Sequence, residues 1–94
     1  MKFVDSNPVG LLEFISRNLV GHKDEVEVTP VDSAESLILE LRLNSEDLGR
    51  VIGKEGRIAK AVRVLLNSIS TKKVIDDSNN ETIYKKYLLE IIDQ

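Results

Sequence analysis

The run Ser36-Leu37-Ile38-Leu39-Glu40-Leu41-Arg42-Leu43 places a leucine at every second position. Successive side chains of a strand point to opposite faces, so Leu37, Leu39, Leu41 and Leu43 share a face that must be covered. Such an element commits the chain to a sheet with one buried side. Ile38, on the other side, is partly exposed or marks a contact surface. Glu25-Val26-Glu27-Val28-Thr29 alternates in the same way, and Pro30 suits a strand end or an edge. Residues of about 25–31 therefore read as an edge strand, paired in a hairpin with strand 36–43 across Asp32-Ser33-Ala34-Glu35. A third strand is expected over 84–92, with Tyr87, Leu89 and Ile91 toward the core and Leu88, Glu90 and Ile92 away from it.

Helical spacing appears on either side of the hairpin. Over 8–20, Leu11, Leu12, Phe14, Ile15 and Leu19 fall on one arc, with Glu13, Ser16 and Arg17 opposite. Ser6 or Asn7 can cap this helix, Pro8 fits its first turn, and Gly21 offers a left-handed stop. His22 then falls in a loop. No Asp, Glu or second His accompanies it in a recognisable motif, so it reads as a solvated loop residue. Asn44 or Ser45 opens a short helix with Glu46 and Asp47 in its first turn, ending at Gly53. From Arg57 a second helix buries Ile58, Ala61, Val62, Leu65, Leu66 and Ile69 and turns Arg57, Lys60, Arg63 and Asn67 outward. Residues 70–83 mix turn formers with charges of both signs and read as a variable connecting loop. That connection is long enough to return the last strand parallel to the second by a right-handed crossover. The expectation is an α+β fold of order α-β-β-α-α-β, a three-stranded mixed sheet with helices packed on one face, in a single domain spanning 1–94.

Charge narrows the function. With 94 residues, 41% apolar and 31% charged, the chain carries −3 overall, which argues against coating a polyanion through net charge. Yet the fourteen residues Arg50–Arg63 hold five basic side chains and one acid, a net +4, leaving −7 on the other eighty. Any anion must be met by that local patch. There is no cysteine, hence no disulfide or thiolate metal site, which fits a reducing compartment. No signal peptide and no run of ~20 apolar residues is visible, so a soluble, cytoplasmic protein without a membrane partner is expected. No nucleophile–base pair or metal-ligand cluster is readable, so neither an enzyme nor a bound cofactor is expected.

Within the basic stretch, Gly53-Lys54-Glu55-Gly56 suits a tight connection between two helices that lets backbone approach a ligand closely. Free amides at the start of the following helix and its dipole favour a phosphate, with Lys54 and Arg57 in reach of the same backbone. Arg50, Lys60 and Arg63 extend the positive surface. Val51, Ile52 and Ile58 offer apolar surface to unstacked bases. The alternative, a plain helical corner with a solvated basic face, sits poorly with five cations gathered in an otherwise acidic chain.

The segment Val51-Ile52-Gly53-Lys54-Glu55-Gly56-Arg57-Ile58 resembles the signature of KH domains, whose GxxG loop holds the backbone of about four nucleotides of single-stranded RNA. The order of elements is similar to the type II arrangement. Size, the lead-in Asp47-Leu48-Gly49-Arg50, the run Gly53-Lys54-Glu55-Gly56-Arg57-Ile58-Ala59-Lys60-Ala61 and the ending Glu90-Ile91-Ile92-Asp93 resemble the small bacterial single-KH proteins of the KhpA family. The 70–83 segment is longer than that family usually has. The resemblance implies RNA binding as a chaperone or post-transcriptional regulator, pairing with itself or with a KhpB (Jag) protein, and links to cell shape and division. It places Gly53, Lys54, Glu55 and Gly56 in the loop, with Ile52, Arg57, Ile58 and Lys60 at the beginning of the groove; Arg50 and Arg63 join them on charge and helical position. Phe3, Phe14, Tyr84 and Tyr87 are the aromatics, so aliphatic contacts and hydrogen bonds, not ring stacking, would recognise bases. Two other readings are a helix-hairpin-helix clamp on duplex DNA, which usually has one residue between its glycines where this chain has two, and a protein–protein adaptor using Ile38, Leu88 and Ile92.

Overall fold

A computed structural model describes residues 8–69, 72–75 and 78–93, with backbone alone at 52–55 and 93. Helix α1 (Pro8–Leu19) is followed by a 3-10 turn at Lys23–Glu25, strands β1 (Glu27–Ser33) and β2 (Ser36–Leu43), and helix α2 (Ser45–Asn67). Short strands β3 (Lys73–Ile75) and β4 (Glu81–Ile83) precede the last strand, β5 (Lys86–Asp93).

The leucine alternation does what strand geometry demands. Leu37, Leu39, Leu41 and Leu43 are all at or below 3% exposure, and Tyr87 and Leu89 join them from β5. β2 is central, antiparallel to β1 and parallel to β5, with Leu37 opposite Tyr87 and Leu39 opposite Leu89. The fold is the α+β arrangement expected, a mixed three-stranded sheet backed by helices. Leu88, paired in register with Ile38, lies exposed on the opposite face.

Several details differ from the sequence expectation. β1 begins at Glu27, because residues 23–25 turn as a 3-10 segment, and it runs through Pro30 to Ser33. An edge strand tolerates proline, since an N–H on its outer side has no ladder partner to lose. Ala34, at φ 52, makes the hairpin turn. In α1 the buried positions are Pro8, Leu12 and Ser16, while Phe14 is 67% exposed. At about 100° per residue, Phe14 stands about 200° from Leu12 and so faces away from the core. The caps expected at Ser6 or Asn7 lie outside the described residues. Gly21 is not left-handed; its N–H is instead taken by the Asp47 carboxylate at 3.0 Å.

The 70–83 segment contains structure that its composition conceals. Lys73–Ile75 pairs antiparallel with Glu81–Ile83, and Asn79 takes a left-handed φ of 66 in the connection. Three-residue strands are too short to show an alternation. Val74 packs against the core, whereas Ile75 and Ile83 are exposed. The Tyr84 N–H bonds the Lys72 carbonyl at 2.8 Å, so β5 begins only at Lys86, after Tyr84 has turned into the core.

Candidate nucleic-acid interface

Asn44 caps α2 through its side chain, which accepts from the Glu46 N–H at 2.8 Å, and Glu46 and Asp47 occupy the first turn where the dipole favours acids. Beyond it, helical structure continues unbroken from Ser45 to Asn67, where the sequence suggests two helices parted by a loop at 53–56. Gly56 explains how. It sits at φ +69, a left-handed residue that cannot belong to a right-handed helix, so two right-handed segments abut there without a spacer. Only a residue lacking Cβ takes that conformation freely. The side chains of Ile52, Lys54 and Glu55, and Gly53 between them, lie outside the described residues; their backbone is helical.

Past Gly56, Val62 and Leu66 are buried together with Ala59, and Ile58 and Ile69 pack at the margin. Ala61 and Leu65, expected inside, are exposed, because the core-facing meridian runs through 59, 62 and 66, which leaves Leu65 on its flank and turns Ala61 away from the core. Arg57, Lys60 and Arg63 stand together on the solvent face of this second segment. Arg50, also exposed, lies on the first segment, where its guanidinium comes within 3.9 Å of the position a Gly21 Cβ would occupy. Ile58 is partly buried, so only part of its side chain is open to a ligand.

The basic face lies beside the outer edge of β5. Asn67, the last residue of α2, pairs with Tyr87 as a neighbouring strand would, its amide nitrogen donating to the Tyr87 carbonyl at 2.9 Å and its oxygen accepting the Tyr87 N–H at 3.1 Å. One turn earlier Arg63 donates to the Leu89 carbonyl at 3.4 Å. Helix side chains thus cover part of an edge that would otherwise invite another strand. No sequence signal marks Asn67 for this role, since its partner lies twenty residues away. The rings of Tyr84 and Tyr87 are buried, so neither offers a stacking surface. Lys72 lies over the Tyr87 ring, 5.8 Å from its centre.

His22 corrects the expectation of a solvated loop residue. Its Nδ1 is 2.9 Å from Asp47, whose carboxylate also accepts the backbone N–H groups of Gly21 and His22 at 3.0 Å each. The hydrogen bond to Asp47 raises the His22 pKa above the ordinary imidazole value against an opposing desolvation. Asp47 is held below the ordinary carboxylate value, first by the Gly21 N–H and then by His22. Among the described residues no group of three His, Cys, Asp or Glu could hold a metal ion, and no helix is long and apolar enough to cross a membrane.

The family model for the KH domain of KhpA and KhpB matches residues 10–78. The chain belongs to the KhpA/KhpB KH-domain family. It is 44% identical over 66 residues to the RNA-binding protein KhpA of Borreliella burgdorferi, covering 70% of this chain and 80% of that protein. The RNA-binding protein KhpA of Clostridium acetobutylicum is 49% identical over 63 residues, 67% of this chain and 84% of its own. That of Aquifex aeolicus is 37% identical over 83 residues, 88% of this chain and 92% of its own. No solved structure matches. The names of these relatives are those of RNA-binding proteins and not of enzymes.

Proposed function

We propose that this KH domain binds single-stranded RNA along the face where α2 meets the edge of β5. The observation that carries the reading is the grouping of Arg57, Lys60 and Arg63 on one exposed helical face, directly after the left-handed Gly56 and beside a strand edge. Cations spaced along a helix neutralise successive phosphates of a single strand. Gly53, Lys54, Glu55 and Gly56 supply the close backbone approach, Ile52 and Ile58 the apolar contact, and Arg50 an outlying charge. The relatives named RNA-binding proteins support the ligand class. Without an exposed tyrosine ring the grip is modest, so a second subunit, either another copy or a KhpB (Jag) protein, adds effective concentration. In this reading the protein works in the cytoplasm as an RNA chaperone or post-transcriptional regulator, connected with cell shape and division.

Arg57→Glu together with Lys60→Glu tests the site, since both side chains are exposed and the fold should survive. Gel-shift titrations with a single-stranded RNA should show weaker binding and a log–log salt dependence shallower by about 1.4, because each phosphate neutralised on a single strand contributes about 0.7. A folded variant with unchanged affinity and slope refutes the assignment. Equal affinity for duplex DNA at the same salt would favour a DNA clamp instead. A partner complex that survives nuclease treatment and both substitutions would favour an adaptor.

A further inference from the structure

Outside the basic face, two carboxylates, one histidine and two peptide N–H groups meet where the α1–β1 corner rests on the first turn of α2. Asp47 is 2% exposed and accepts from the backbone N–H of Gly21, the backbone N–H of His22 and Nδ1 of the His22 ring. An ionised carboxylate only accepts hydrogen bonds, so Nδ1 carries a proton in both states of the ring. Nε2 is the atom that changes. In the neutral ring it turns a lone pair toward Glu46, whose Oε1 is 3.6 Å away; in the charged ring it turns an N–H there instead. The charged groups around it are Asp47 and Glu46 from α2, Glu25 from the 3-10 turn, and Arg50 one helical turn beyond Asp47, its guanidinium close to Gly21. Three carboxylates against one guanidinium favour a cation at the ring.

We propose that His22 is a proton-operated latch, in which a proton at Nε2 fastens the α1–β1 corner to the turn of α2 that precedes Arg50. Without that proton the corner rests on the hydrogen bonds to Asp47 alone. The direction follows from linkage. A histidine favoured as a cation in the fold adds stability that is fully present below its unfolded midpoint of about 6.5 and is lost as pH rises through the folded midpoint. Asp47, lowered, acts in the opposite sense at acid pH: its contribution is present above the ordinary carboxylate range and is lost as pH falls through its folded midpoint. The two windows are separate, so a change near neutrality belongs to His22.

His22 is the single histidine of the chain, which lets NMR follow its ring without overlap. The expected result is a midpoint above about 6.5, an Nδ1–H tautomer when neutral, and Gly21 and His22 amide shifts that titrate with the ring. Glu46→Gln, at a side chain 80% exposed, should lower that midpoint without disturbing the fold. Urea unfolding between about pH 5.5 and 8.5 then compares the wild type with His22→Asn, which keeps a donor toward Asp47 but does not titrate. The ratio of their unfolding constants should change about tenfold for each unit by which the ring midpoint exceeds its unfolded value. A ring midpoint at or below about 6.5, or a ratio that stays constant with pH, overturns the latch. Should His22→Asn fail to fold, the wild-type and Glu46→Gln ring titrations decide alone.

Discussion

The same substitution, glycine to alanine, should act with opposite sign at two positions seven residues apart in α2. At neither Gly49 nor Gly56 would an added Cβ meet a described atom within 4 Å, so contact energy does not separate them. Backbone conformation does. Gly49 lies in the helical first segment without a positive φ, where alanine is favoured over glycine by about 0.8–1.0 kcal/mol. Gly56 is at φ +69, where an L side chain costs roughly 1–2 kcal/mol, a loss only partly offset by the stiffer unfolded chain. Gly49→Ala should therefore be about 1 kcal/mol more stable than the wild type and Gly56→Ala about 1 kcal/mol less stable. In a domain of this size the two variants should melt roughly 8–16 °C apart, at about 4–8 °C per kcal/mol. Thermal and urea unfolding by circular dichroism would measure both. Gly56→Asn should lose less than Gly56→Ala, because asparagine enters the left-handed region more readily. A Gly56→Ala variant as stable as Gly49→Ala would refute the reasoning, since it would mean that α2 passes residue 56 without a left-handed residue.

Two further outcomes follow from the junction of α2 with β5. Asn67→Ala removes both hydrogen bonds to the Tyr87 peptide and should cost about 1–3 kcal/mol in urea unfolding, at roughly 0.5–1.5 kcal/mol each; a loss below about 0.5 kcal/mol would show that the pair is not formed in solution. Tyr87 is 1% exposed and its hydroxyl finds no hydrogen-bond partner among the described residues, so Tyr87→Phe should be neutral or up to about 1 kcal/mol stabilising, and a loss of about 1 kcal/mol or more would reveal a partner for that oxygen.

How much of the fold is legible in the sequence follows the range of the forces involved. Strand periodicity is local, so the alternation of Leu37, Leu39, Leu41 and Leu43 is enough to assign the buried face of the sheet. The Asn44 cap is similarly legible, because the donor and acceptor lie two residues apart. The arc of α1 is misplaced at Phe14, since a stretch of twelve residues rich in apolar side chains fits more than one meridian. The β3–β4 hairpin escapes for the opposite reason, its strands being three residues each.

By itself, then, the sequence determined the alternating leucines of the central strand, the helix–strand–strand–helix order of the first three-quarters of the chain and the concentration of positive charge at Arg50–Arg63, each a property of neighbours along the chain. Tertiary structure alone decided what those elements touch. It joined two helical segments at Gly56 into one run, set Arg50 beside Gly21, laid Asn67 and Arg63 along β5, and brought His22 to Asp47. The pairings with β5 and with Asp47 span twenty to twenty-six residues and form only after the sheet has brought distant segments together. A buried carboxylate such as Asp47 also needs all its donors at once. No local pattern encodes that meeting.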